Sequence, residues 1–155
     1  SINGSKYLGV ARCDVYNFTD TDLQSDMNEM IAAIEKKISR FNPDIIFTHS
    51  EHDQHQDHAA VHLATLRGGR RHRAILCFES PSATTEFRPK VFVDIDEYVG
   101  VKGSAVAIHE NQAGKPYMTQ DRVSGMANFR GDQAKMSRAE GFEPVRFDVF
   151  GGALS

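Results

Sequence analysis

Apolar positions recur at three- and four-residue steps through Met27, Met30, Ile31, Ile34, Ile38 and Phe41, while Asp26, Glu29, Glu35, Lys36 and Lys37 take the other face. That period predicts an amphipathic helix. Thr21 or Asp22 can cap its start, since their side-chain oxygens accept free amide hydrogens there. Asn42-Pro43 ends it, because proline disfavours the helical conformation in the residue before it. Residues 44–49 are short and nearly all apolar, as in a strand covered on both faces. Residues 58–70 predict a second helix, with Val61, Leu63 and Leu66 facing the core. Residues 74–78 predict another buried strand, 79–85 a polar loop, and 91–95 an alternating strand nearer an edge. Upstream, Leu8, Val10, Val15, Tyr16 and Phe18 predict a short strand within residues 7–18.

Further on, residues 97–109 predict a helix whose first turns are weakened by Gly100 and Gly103, and 111–117 a loop. Thr119 can cap a long helix reaching about Glu140, with Val123, Met126, Ala127, Ala134, Met136 and Ala139 as its inner stripe. Gly125 and Gly131 would each cost roughly 1 kcal/mol in that helix relative to alanine, which close approach to another backbone would explain. Residues 144–150 predict a last strand. Strands alternating with helices imply an α/β fold, a three-layer sandwich with a mostly parallel sheet. The length suits one domain over residues 1–155.

The formal charge of −3 gives no electrostatic case for nucleic acid as a partner. The basic cluster from Arg67 to Arg73 reads as a solvated helix end and loop. No run approaches the ~20 apolar residues that span a bilayer, so no membrane association is expected. Cys13 and Cys77 sit in apolar, strand-like surroundings and predict buried free thiols in a reduced, cytoplasmic compartment.

Chemistry concentrates behind the strand at 44–49. Of the seven histidines, His49, His52, His55, His58 and His62 fall in this stretch, with Asp53 and Asp57 between them. In α/β folds, ligands bind outside the carboxyl ends of strands. Three-residue spacing puts neighbouring imidazoles on one side only if the backbone is helical or turn-like. His55 and His58, with Asp57 between them, form the best pair: one imidazole to bind a metal, the other to meet a substrate oxygen. Asp57 can hydrogen-bond a histidine's far nitrogen and fix its tautomer. It can equally be a carboxylate at a helix N-terminus. His49 and His62 read as structural, His52 as undecided, and His72 as solvated.

The stretch from Asn42 to His58, ending Asp53-Gln-His-Gln-Asp-His58, resembles the second motif of the PIG-L/LmbE-like zinc-dependent de-N-acetylases. Later segments match in order: Leu76 to Pro81, Phe87 to Ile95, Lys102 through His109 to Gln112, Tyr117-Met118, Arg130-Gly131 and Ala139 to Phe142. The resemblance implies a Rossmann-like sandwich that removes N-acetyl groups from amino sugars or related amides with zinc as cofactor. It makes His58 a zinc ligand, His55 the imidazole that stabilises the oxyanion, and Asp57 its orienting partner. His109 and Gln112 would line the substrate side.

The family's first motif, His-Pro-Asp-Asp-Glu, occurs nowhere in these 155 residues. The chain thus looks like the family with an N-terminal strand or strands missing, together with the catalytic base and two metal ligands. Asp53, Glu51 or His52 would have to recruit a metal in their place. Weak or no activity is expected of this chain alone, and zinc need not be retained. An uncovered sheet edge invites pairing and suggests a homo-oligomer. The alternative is a non-catalytic metal- or sugar-binding descendant that assembles with a partner chain. A nucleotide-binding reading is weaker, since no Gly-x-Gly-x-x-Gly follows a strand.

Overall fold

The computed structural model describes residues 2–108 and 119–148. His109 and Gln112 lie outside the described residues. The described residues fall into two compact units, 17–91 with 142–148 and 2–16 with 92–108 and 119–141.

The first unit holds the histidine-rich stretch. Helix α2 (Met27–Phe41) follows the predicted period, and Asn42 closes it in the left-handed conformation at φ 42°, just before Pro43. Neither Thr21 nor Asp22 caps it. The helix starts later, after Asp26, whose carboxylate instead accepts the Thr19 N–H at 2.6 Å. Strand β1 (Ile46–His49) leads into helix α3 (Gln56–Gly68), and strand β2 (Ala74–Phe78) follows. Met27 and Met30 of α2 bury against Ala60 and Ala64 of α3, flanked by Phe18, Leu23, Ile31, Ile34, Val61 and Leu63. The alanines let the helices approach. At the far end of the same contact, a Cβ on Gly68 would lie 2.9 Å from Ile34 Cγ2. Phe47 on β1 meets Phe142 at 5.2 Å between ring centroids.

The second unit begins with helix α1 (Ile2–Tyr7). Strand β3 (Val91–Asp94), a short 3-10 turn, helix α4 (Val99–Ala107) and helix α5 (Gln120–Ala134) make up most of the rest. Ile95, Val99 and Ala127 form its buried cluster. Lys102 pairs with Glu140. Thr119 caps α5 as expected, accepting the Arg122 N–H.

Strand β4 (Ala139–Phe147) completes a four-stranded sheet of order β1-β2-β4-β3. β1 and β2 are parallel, with Ile46 opposite Ile75 and His49 opposite Phe78. β2 and β4 are antiparallel, with a bulge at Ile75/Leu76. Beside β3, the Lys90 N–H reaches the Phe142 carbonyl and the Ile95 N–H reaches the Arg138 carbonyl. Partner numbers fall as β3 advances, so that pair is antiparallel too. The sheet is therefore mixed, which corrects the mostly parallel expectation.

Other local expectations also change. Residues 7–18 form no strand: α1 ends at Tyr7 and residues 10–18 take no regular element. Cys13 is accordingly exposed, while Cys77 is buried, and both are free. The long helix stops at Ala134 because Lys135 turns left-handed at φ 59°. The chain then reverses over Gly131, where a Cβ would lie 2.6 Å from the Ser137 carbonyl oxygen. Close approach thus accounts for Gly131, whereas Gly125 faces open space. Among the described residues, no helix is long and apolar enough to cross a membrane.

Candidate functional site

β1 delivers His49 at its last residue, and α3 begins seven residues later at Gln56. The intervening loop is braced on two sides. Buried Ser50 donates to Glu143 Oε2 at 2.6 Å and accepts the His52 N–H at 3.0 Å. The loop after β2 also pairs with it, through Gln54 N–H to the Ser82 carbonyl at 3.1 Å and Thr84 N–H to the His52 carbonyl at 2.8 Å. Parallel β1 and β2 end side by side, so their following loops meet.

Three imidazoles stack here. The rings of His49 and His58 are 3.8 Å apart at 13°, and those of His55 and His58 are 4.5 Å apart at 19°. His55 is the N-cap of α3, its Nδ1 accepting the Asp57 N–H at 3.2 Å. That bond leaves the proton of neutral His55 on Nε2. His58 Nδ1 donates to Asp53 Oδ2 at 2.8 Å, which leaves its Nε2 as the free lone pair. His49 Nδ1 is buried with no hydrogen-bond partner among the described residues. Burial, helped by the neighbouring His58, pushes the His49 pKa down to about 4, so its ring is neutral near pH 7.

The two aspartates differ. Burial alone would raise the Asp53 carboxyl. Hydrogen bonds from Ser80, the His55 amide, Ser82 and His58 outweigh that and hold it well below the usual carboxylate range. The Asp57 carboxylate turns away from His55. It accepts the Thr21 N–H at 2.9 Å and the Leu23 N–H at 3.2 Å. Its contact with His55 therefore runs through its backbone amide rather than through the carboxylate anticipated from the sequence.

The other histidines separate from the stack. His62 is buried and donates from Nδ1 to the His49 carbonyl at 2.8 Å, a structural strut beneath the strand end. His52 points toward Glu143, 3.9 Å away, and lines a cavity of about 480 Å³ with Ser50, Cys77, Arg88 and Glu143. His72 is not simply solvated: its ring bridges the Ala74 and Pro43 carbonyls at 2.9 and 2.7 Å. Burial pushes the Cys77 thiol up to about 12, with Glu143 and Glu51 adding to the shift, so it is no nucleophile near pH 7.

One donor atom each from His49, Asp53 and His58 lies within 4.8 Å of the others. The donor chemistry fits a divalent ion such as zinc, which takes imidazole nitrogen readily. A buried, unpartnered nitrogen held neutral is what such a site requires of His49. In this pose the near-parallel rings do not aim their in-plane lone pairs at one point, so binding needs them to fan apart. From the sequence, His49 reads as structural, and Ser80 and Ser82 only as parts of a polar loop. The signal for His49 in the sequence is its place at the end of a short apolar run.

The family model for PIG-L, the GlcNAc-PI de-N-acetylase, matches residues 2–67. The uncharacterized deacetylase YaiS of Escherichia coli (strain K12) is 36% identical over 117 residues, covering 72% of this chain. The chain is thus similar to the PIG-L/LmbE-like de-N-acetylase family. It spans 63% of the length of YaiS. Among solved structures, the 4-carboxy-2-hydroxymuconate hydratase GalB of Pseudomonas putida KT2440 superposes with a TM-score of 0.78 at 20% identity, over 96% of this chain and 70% of that one. The N,N'-diacetylchitobiose deacetylase of Pyrococcus horikoshii gives 0.71 at 17% identity, over 92% of this chain and 60% of that one. A hydratase and a deacetylase thus share this fold, and fold alone does not choose between them.

Proposed function

We propose that this chain carries the metal-holding and oxyanion-stabilising part of a zinc-dependent hydrolase that removes N-acetyl groups from amino sugars or related amides. The observation that carries this reading is the stack of His49, His58 and His55 at the carboxyl end of β1, with the His49 nitrogen buried and unpartnered. Similarity to the family supports it, as does the similarity to the deacetylase YaiS.

His49 and His58 would hold the ion. When bound, zinc polarises an amide carbonyl and lowers the pKa of water. His55 presents Nε2–H to the carbonyl oxygen and stabilises the charge that develops there. Asp57 positions His55 through its backbone amide while its carboxylate anchors the turn at Thr21 and Leu23. His109 and Gln112 line the substrate side in this reading. The proton of the attacking water has no evident acceptor in the stack. The chain has no His-Pro-Asp-Asp-Glu sequence, and the hydrogen bonds of Asp53 and Asp57 occupy both carboxylates. The 155 residues by themselves therefore turn over slowly. Assembly through the β1 edge into a homo-oligomer and a cytoplasmic location complete the reading.

Zinc-loaded protein assayed on N-acetylglucosamine-type substrates tests it. Slow release of acetate that disappears in His55→Ala and His58→Ala is expected. Release insensitive to both substitutions would overturn the assignment of these residues. Turnover matching a complete family member would overturn the missing-base argument.

A further inference from the structure

Asp53 is a candidate ligand by proximity, yet its acceptor capacity points elsewhere. An ionised carboxylate offers about four lone-pair sites, two on each oxygen. Oδ1 accepts the His55 N–H at 2.9 Å and the Ser82 hydroxyl at 2.7 Å, while Oδ2 accepts the Ser80 hydroxyl and His58 Nδ1–H at 2.8 Å. Those bonds fill the carboxylate. Its side chain is 1% exposed, so no water needs to leave it and no open lone pair faces outward. Ser80 and Ser82 are fixed in turn. The Ser82 N–H donates to Ser80 Oγ at 3.2 Å, and the Ser82 carbonyl accepts the Gln54 N–H.

We propose that Asp53, bracketed by Ser80 and Ser82 from the loop after β2, is a positioning residue rather than a metal ligand. It holds the proton of His58 on Nδ1 and so presents Nε2 to the ion. A carboxylate behind a ligating imidazole fixes the tautomer, sets the ring's orientation and raises its basicity. The bracket spans two loops that only the parallel pairing of β1 and β2 brings together, so the ligand's tautomer depends on the sheet. The proposal rests on the metal-holding reading of His58, but its first test needs no metal.

Nitrogen-15 NMR of the metal-free full chain at about pH 8, above the unperturbed imidazole range, reports which His58 nitrogen carries the proton. The expected result is Nδ1–H in the wild-type protein and loss of that preference in Asp53→Asn. Cobalt(II) binding, followed by visible absorption, supplies the second arm. In Ser80→Ala/Ser82→Ala the bracket loosens and affinity should fall, roughly 10-fold toward the lower end of such outer-shell effects. Were Asp53 a ligand, the same double substitution would free its lone pairs, and affinity would hold or rise. Nε2–H on wild-type His58, or tighter cobalt binding by the serine variant, overturns the proposal. Wild-type protein that shows Nδ1–H but binds no cobalt overturns the metal-holding reading and leaves the positioning role standing. The wild-type tautomer and the serine variant decide the matter even if Asp53→Asn fails to fold.

Discussion

Asp53 takes three of its four hydrogen bonds from side chains, Ser80, Ser82 and His58, whereas Asp57, four residues on, meets the backbone amides of Thr21 and Leu23. Both carboxylates are sequestered and both are satisfied. Asp53 is tied to the imidazole stack, so its hydrogen bonds set which nitrogen a metal could meet. Asp57 is tied to a loop with Thr21 in the left-handed region at φ 64°, so its bonds set where the chain enters the unit. One motif thus contains a carboxylate that tunes chemistry and another that holds the fold around it.

The sharpest break of this contrast comes from His58→Ala. It should abolish metal uptake altogether, as read by metal analysis, while leaving the Asp57 anchor intact. Next in size is Asp57→Ala. It strands two amide hydrogens in a partly buried turn, at about 1–3 kcal/mol for each that stays unsatisfied. Urea denaturation should show a loss of roughly 2–4 kcal/mol. Equal stability in Asp57→Ala and wild type would erase the distinction between the two aspartates.

Acid should act on the Asp53 side first. His49 has a folded-state pKa of about 4 against an ordinary 6.5. Between those values the unfolded chain binds the extra proton and the folded chain does not. The stabilisation is therefore complete above 6.5 and is lost progressively as pH falls toward 4. Denaturation midpoints of the metal-free protein should drop across that window, and His49→Gln should flatten the drop. The smallest effect is a control. One thiol, Cys13, should react quickly with a disulfide reagent in the native protein while buried Cys77 lags. A variant in which both react at once has opened the floor under the Ser50–His52 segment rather than altered the histidines.

Much of the scaffold was readable from the sequence because it is local. The period of α2 and the apolar run of β2 arise from burial on known faces, whereas β1, expected to be covered on both faces, buries only Thr48 and leaves Phe47 exposed. The failures have physical causes. The apolar residues between Leu8 and Phe18 pair with no strand among the described residues, and hydrophobicity alone does not make a strand. Met136 and Ala139 continue the helical spacing of α5, but Lys135 turns left-handed and the chain enters β4 beside β3, where the Ile95 N–H meets the Arg138 carbonyl. At the site, the His55/His58 pair could be read from spacing along α3. His49 joins them only because β1 ends over the start of that helix. The Ser80–Asp53 bond, 27 positions apart, leaves no trace in any local pattern. The exchange of Asp57 from imidazole partner to turn anchor is equally nonlocal, since Thr21 and Leu23 lie 36 and 34 positions upstream.

The most direct test of the metal-holding stack is a calorimetric zinc titration of the metal-stripped 155-residue chain. Saturable uptake of one ion per chain is expected, lost in His58→Ala, strongly weakened in His49→Ala and retained in His62→Gln. A flat titration of folded wild-type protein, or uptake unaffected by His58→Ala, would contradict it.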